Sequence, residues 1–242
     1  MENEIRINKA LSMAGICSRR EADRCIADGR VRINGREAAP GDRVKAGDEI
    51  MLDGKPVLMQ EPLTLLLFYK PRGIVSSTKQ QRSETTVVDY LHYPVRVFPV
   101  GRLDKESEGL LLMTNQGELA DRILRGANGH EKEYQVRIDR PVTEEFVRRM
   151  SEGVHILDTV TRPCKVWQTG RHTFGIILTQ GLNRQIRRMC HALGCEVTGL
   201  RRIRILNLKL DGLQPGQYRP VTDNEYRELL RRLRLTPEDN AE

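Results

Sequence analysis

The chain has 242 residues, with 40 Lys and Arg against 33 Asp and Glu, for a formal net charge of +7. That length allows one large domain or two unequal ones, and 38% hydrophobic residues with only 5% aromatic ones point to a packed, mainly aliphatic core. No apolar run approaches the roughly 20 residues that span a bilayer. The alternating charges of Met1 to Arg6 are unlike a signal peptide, so a cytoplasmic protein is expected. Its five cysteines (Cys17, Cys25, Cys164, Cys190, Cys195) are odd in number and scattered, which reads as free thiols in a reducing compartment. The positive balance suggests a polyanionic partner, nucleic acid first.

Ile7, Ala10, Leu11 and Ala14 recur at helical spacing, and Gly15 ends that helix. Ser18 opens a second helix with Glu21 in capping-box position, running through Ala22, Cys25 and Ile26 to Gly29. Val31–Ile33 and Ile50–Leu52 read as strands, followed by the turn pairs Asn34-Gly35 and Asp53-Gly54. A seam follows at Pro56 to Pro62. The 60 residues before it carry 11 basic and 10 acidic side chains, and the rest carry 29 and 23. The expected division is therefore residues 1–60 and 61–242.

Beyond the seam, strands are expected at Leu65–Tyr69, Leu110–Thr114, Tyr134–Ile138, Phe174–Leu178 and Ile203–Leu210. Helices are expected at Glu118–Arg125, Glu144–Met150, Arg184–Leu193 and Asn224–Leu233, the last with Thr222 and Glu225 in capping-box spacing. Strands often follow strands directly, which argues an α+β fold: a small N-terminal α/β module and a larger domain with a mostly antiparallel mixed sheet flanked by helices. The end, Thr236 to Glu242, is acidic and polar and is expected to fray.

Several chemistries lack their signatures. Gly47 to Lys55 has the wrong glycine spacing for a phosphate-binding loop, with Pro56 where Ser or Thr is needed. No dinucleotide fingerprint and no Cys-x-x-Cys pair occurs. Cys190, His191 and Cys195 lack a fourth ligand for a metal, and the thiols read as facing a core. Neither metal nor nucleotide cofactor is expected.

Two features carry chemistry. Arg184, Arg187, Arg188 and His191 share one stripe of a helix, with Ile186, Met189, Cys190 and Leu193 opposite. Stacked cations repel, so either solvent or a negative group faces them. Arg202 and Arg204 alternate with Ile203 and Ile205 and are read as extending this positive surface, while Arg6, Lys9, Arg19, Arg20 and Arg24 form a basic cluster on the first two helices, suited to an RNA backbone. The second feature is the charge-dense loop Gly101 to Glu108, which runs into an apolar strand. On residue type alone, its Asp104, Glu106 and Glu108 are either surface acids or a carboxylate set at the mouth of a cleft.

Gly101-Arg102-Leu103-Asp104 with Gly109 to Asn115 resembles the catalytic-aspartate motif of RNA pseudouridine synthases. Tyr69-Lys70-Pro71-Arg72-Gly73, Lys132-Glu133-Tyr134-Gln135-Val136 and Gly181 to Met189 resemble three further motifs of that family, in order. The N-terminal module resembles the S4 RNA-binding domain. The pattern resembles that of the small-subunit synthase A-like family, and within it the type acting on 23S ribosomal RNA, with no departure at a motif position.

The resemblance implies isomerisation of uridine to pseudouridine in RNA. The target base flips out, the C1′–N1 bond breaks and a C1′–C5 bond forms, and no cofactor is consumed. It implies Asp104 as the essential carboxylate, Arg187 as its basic partner and Tyr134 as the ring that stacks on the base. Arg102, Ile186, Arg184, Lys70 and Asn183 are implied on the substrate side, with Lys70 also readable as a structural prop and Ile186 as core. The substrate implied is 23S ribosomal RNA, with 16S ribosomal RNA or tRNA as alternatives, and a monomer is the default expectation. A non-catalytic RNA-binding or ribosome-assembly protein, or a glycosidase pairing Asp104 with Glu106 or Glu108, remain rival readings at this point.

Overall fold

The computed structural model of the protein describes residues 4–45, 47–58, 63–78, 84–124 and 129–235. Met59 to Pro62 of the expected seam, Arg125 of the expected helix Glu118–Arg125 and the Thr236–Glu242 end lie outside the described residues. The chain divides into two compact units, residues 1–64 with 93–97 and 115–117, and residues 65–92, 98–114 and 118–242.

The first unit holds β1 (Ile5–Arg6), α1 (Ile7–Met13), α2 (Arg19–Ala27), β2 (Val31–Ile33), β3 (Arg36–Glu37), β4 (Arg43–Val44), β5 (Ile50–Leu52) and β6 (Lys55–Pro56). The two helices bury Ile7, Ala10, Leu11, Ala22, Cys25 and Ile26 against Val31, Ile33 and Ile50. Ser18 caps α2, its Oγ accepting from the Glu21 N–H at 3.3 Å. The sheet order is β3-β2-β5-β6, with β1 paired to β4. Its two hairpins turn on Asn34-Gly35 and Asp53-Gly54, all four residues at positive φ, as a two-residue turn matched to strand twist requires.

The second unit continues with β7 (Leu65–Lys70), α3 (Val87–Leu91), β8 (Phe98–Val100), β9 (Glu108–Thr114), α4 (Gly117–Leu124), β10 (Lys132–Ile138), α5 (Glu144–Glu152), β11 (His155–Ile156), β12 (Thr159–Val160), β13 (Lys165–Gly170), β14 (Thr173–Leu178), α6 (Gln185–Ala192), β15 (Val197–Ile205), β16 (Leu208–Lys209), β17 (Tyr218–Pro220) and α7 (Asp223–Leu233). One sheet runs β13-β14-β10-β15-β9-β7-β17, with β16 and β8 pairing off β15 and β9. Every pairing in it is antiparallel except β15 with β9. The fold is thus α+β with a largely antiparallel sheet, as expected from the succession of strands. No helix among the described residues is long and apolar enough to cross a membrane.

The parallel junction divides two cores. On one side Leu65, Leu67, Leu110 and Leu112 pack with Leu119 and Ile123 of α4 and Leu229 and Leu233 of α7. On the other, Val136, Ile138, Phe174 and Ile176 pack with Met150 of α5 and Ile186, Met189 and Cys190 of α6. Gly109 makes the junction possible. It sits at φ +110°, and a Cβ there would lie 2.3 Å from the Arg202 carbonyl oxygen.

Two expectations are corrected here. Ile203–Leu210 is not one strand, because Leu206 adopts a left-handed φ of +51° and the chain turns back into β16. Nor do Arg202 and Arg204 share an exposed face. The β10–β15 register pairs Tyr134 with Arg202 but Glu133 with Arg204, so β15 carries one extra residue at Ile203. That bulge leaves Arg202 only 3% exposed and sends Arg204 to ion pairs with Glu133 (2.7 Å) and Glu131 (2.9 Å).

Candidate active site

The loop between β8 and β9 carries Asp104, and the preceding motif holds that loop from beneath. Lys70 ends β7 fully buried, its Nζ donating to the carbonyls of Ser107 (2.8 Å) and Pro71 (2.9 Å). Arg72 Nε donates to the Glu106 carbonyl at 3.1 Å, and the Gly73 N–H to the Lys105 carbonyl at 2.8 Å. Ser76 Oγ donates to the Leu103 carbonyl and accepts from its N–H. The Asp104 carbonyl accepts from the Ser107 N–H at 3.0 Å, closing a tight turn. Five backbone groups of the loop are therefore fixed from below, leaving the Asp104 side chain to point at the rest of the site.

Helix α6 and the residue just before it supply the cations. Arg187 Nε lies 3.7 Å from Asp104 Oδ2, and Arg184 Nη1 lies 3.6 Å from the same oxygen and 3.3 Å from Glu106. Arg187 is the better fixed of the two. Its Nη1 donates to the Val197 carbonyl and its Nη2 to Ser107 Oγ, both at 3.2 Å. Its Nε is buried without a hydrogen-bond partner among the described residues, close enough to Asp104 for an ion pair and too far for a hydrogen bond. Burial, with Arg184 next, lowers the Arg187 pKa from its ordinary value. Arg184 precedes the helix at φ +50°, a strained conformation for a side chain of its size. Glu106 is held below the usual carboxylate range by its own backbone N–H and by Arg184.

Asp104 and Arg184 border a cleft of about 630 Å³, lined also by Arg102 and Ser107 of the loop, Lys132 and Tyr134 of β10, Arg202 of β15 and the rest of the Thr179–Ile186 stretch, with Arg187 just behind Asp104. Tyr134 is half-buried and leans on the second core. Ile186 does both things the sequence allowed, lining the cleft and packing in that core. The Thr179–Asn183 loop is braced by buried Gln185, whose Oε1 accepts from the Leu182 N–H at 3.1 Å.

Not every expected substrate residue faces the cleft. Lys70 does not line it, and its amine donates to backbone carbonyls, so it supports the Asp104 loop and is corrected from substrate contact to prop. Asn183 lines the cleft but holds Arg188 through its carbonyl (3.1 Å) and Oδ1 (3.3 Å). The stripe on α6 is sorted by partner, with His191 paired to Glu196 at 2.6 Å. Cys190 and Cys195 are buried, as a thiol pair facing the core. In the first unit Arg6, Arg19, Arg20 and Arg24 are exposed, and Lys9 is half-buried.

Comparison with known proteins places both parts of the chain in described families. The family model for RNA pseudouridylate synthase matches residues 64–192, and that for the S4 domain residues 5–50. The chain is 49% identical over 232 residues to the dual-specificity RNA pseudouridine synthase RluF of Escherichia coli K12, covering 95% of this chain and 80% of that protein. It is 35% identical over 232 residues to the ribosomal large subunit pseudouridine synthase B of Bacillus subtilis strain 168, covering 93% and 95%. A crystal structure of a pseudouridylate synthase superposes with a TM-score of 0.69 at 29% identity, covering 93% of this chain and 99% of that one. Aligned almost end to end with such relatives, the chain belongs to the RNA pseudouridine synthase family, and it is an enzyme that isomerises uridine to pseudouridine in RNA.

Proposed function

We propose that the substrate is large-subunit (23S) ribosomal RNA and that Asp104 is the essential carboxylate of the reaction. One observation carries the assignment of Asp104: a carboxylate at the cleft edge, on a loop fixed from below, sits within 4 Å of two guanidiniums. An anion held by neighbouring cations, in a site that a flipped base would seal from water, is suited to attack at C1′ or to assist glycal formation. The name of the Bacillus subtilis relative, a ribosomal large subunit synthase, supports the choice of RNA.

In this reading Tyr134 stacks on the everted uracil, worth roughly 1–3 kcal/mol against the few kcal/mol of unstacking. Arg187 pairs with Asp104, Arg184 bridges it to Glu106, and exposed Arg102 enters the space the uridine vacates. Residues 1–60 act as an S4 RNA-binding domain that grips the backbone through Arg6, Lys9, Arg19, Arg20 and Arg24, and residues 61–242 perform the chemistry. The test is to map pseudouridine by reverse-transcription stops in ribosomal RNA from cells with and without the gene. Loss of a stop in 23S RNA, restored by the gene, is the expected result. Loss confined to 16S RNA or tRNA would overturn the substrate assignment.

A further inference from the structure

The sheet wall of the cleft carries two cations that the reaction scheme above leaves unused. Tyr134 and Arg202 are direct partners across β10 and β15, as are Lys132 and Ile205, and all four line the cleft. The bulge at Ile203 is what brings Arg202 and Ile205 onto this one face. Arg202 Nε donates to the Leu110 carbonyl at 2.7 Å. Its Nη2 is buried with no partner among the described residues, and the residue as a whole is only 3% exposed. Lys132 stands in the same wall, its amine pulled below the ordinary lysine range by burial and then by Arg202. Among the described residues no carboxylate pairs with either group, whereas Arg204 on the opposite face has two. The remaining wall is apolar, formed by Leu178, Leu200 and Ile205.

Buried donors without acceptors are uncommon and costly in a folded chain. One such cation, Arg202, beside the half-exposed Lys132, unpaired among the described residues in the same wall, marks a place where charge arrives from outside the protein. The established isomerisation brings such charge. When the C1′–N1 bond breaks, its electron pair goes to the uracil and spreads over N1 and the two carbonyl oxygens. When C1′–C5 forms, a ring electron pair makes the bond, the C5 proton leaves and N1 ends protonated, so the nucleotide keeps its composition.

We propose that Arg202 and Lys132 hold the negative charge of the uracil ring while it is detached from C1′. This rests on the assignment of the cleft to the target uridine. Fixed donors aimed at charge that develops only during reaction act on the rate far more than on binding. The direct pairing of Arg202 with Tyr134 puts the donor beside the ring that stacks on the base, which favours uracil over a backbone phosphate as the group it meets.

The experiment compares uridine with 5-fluorouridine at the target position of one RNA, in single turnovers at saturating enzyme. Fluorine stabilises the detached ring by itself. Lys132→Met is expected to slow uridine conversion about 100-fold, and the consumption of 5-fluorouridine, whose ring can detach and rejoin through C5 but has no C5 proton to lose, about tenfold or less, with RNA affinity unchanged. Arg202→Lys, which keeps the charge and loses the fork, is expected to show the same selective rescue by fluorine. Equal slowing of both substrates would overturn the proposal. So would a loss of affinity with a shallower salt dependence, which would give the two cations to a phosphate. Should Arg202→Lys fail to fold by circular dichroism, half-exposed Lys132 decides alone. Failure of the underlying site reading is separate, because Asp104→Asn would then still convert uridine.

Discussion

Replacing Gly109 by alanine tests whether the close parallel junction of β9 and β15 organises the site. The added Cβ would lie 2.3 Å from the carbonyl oxygen and 2.7 Å from the amide nitrogen of Arg202, both backbone atoms, at a φ of +110°. Neither neighbour can swing aside as a flexible side chain would, so the strands must part. The positive φ costs about 1–3 kcal/mol and the overpacking about 1–3 kcal/mol more. The sum, about 2–6 kcal/mol, is a large share of a typical domain's 5–15 kcal/mol. Its middle value lowers the melting midpoint by about 8–16 °C for a chain of this size. Urea and thermal melts followed by circular dichroism measure it, with single-turnover rates on the folded variant. The rate is expected to fall more than RNA affinity, since the junction positions Arg202 beside Tyr134 and lies at the end of the Asp104 loop. A stability loss below about 1 kcal/mol would refute the reasoning, because neither strain nor crowding could then be present.

Further outcomes follow from the same geometry. Burial pulls the Lys70 amine down to about 8 from its ordinary 10.5. Between those values the unfolded chain binds the extra proton, so the folded state gains stability as pH rises, about 3 kcal/mol in all from this group. Urea melts across that window should show the rise in the parent and its absence in Lys70→Met. Ser107→Ala removes the acceptor of Arg187 Nη2, a bond worth about 0.5–1.5 kcal/mol. Single turnovers should slow about three- to tenfold, with the melting midpoint lowered by only about 1–6 °C. RNA affinity should fall with salt, and replacing Arg19, Arg20 and Arg24 by serine should flatten that slope by about 0.7 for each phosphate that is no longer neutralised. An unchanged slope would show that these three arginines do not grip the backbone.

Local signals read well where one interaction decided the outcome. Ser18 with Glu21, Thr222 with Glu225, and the Asn-Gly and Asp-Gly pairs marked helix starts and hairpins, and the chain follows them. Thr86 and Asp89 form the same kind of box at the start of α3 and were legible by the same rule. The stripe on α6 placed Arg187 toward a negative partner and Ile186 toward the core. What escaped was decided by pairing between distant strands. No periodicity in Leu200 to Ile205 announces a bulge, so Arg202 looked like a partner of Arg204 on a basic surface. The role of Lys70 was equally hidden, since one of its acceptors is the carbonyl of a loop residue 37 positions on, and a backbone acceptor leaves no trace in residue type. The motif resemblance gathered Asp104, Tyr134 and Arg187, while spacing alone could not separate a cleft carboxylate from a surface one.

The most direct test is Asp104→Asn, which keeps the side chain's size and removes its charge. Pseudouridine formation in a single turnover should be abolished, with RNA affinity within about twofold of the parent and no free uracil released. Parental conversion by the variant would contradict the central claim that this carboxylate, held beside Arg187 and Arg184, drives the isomerisation.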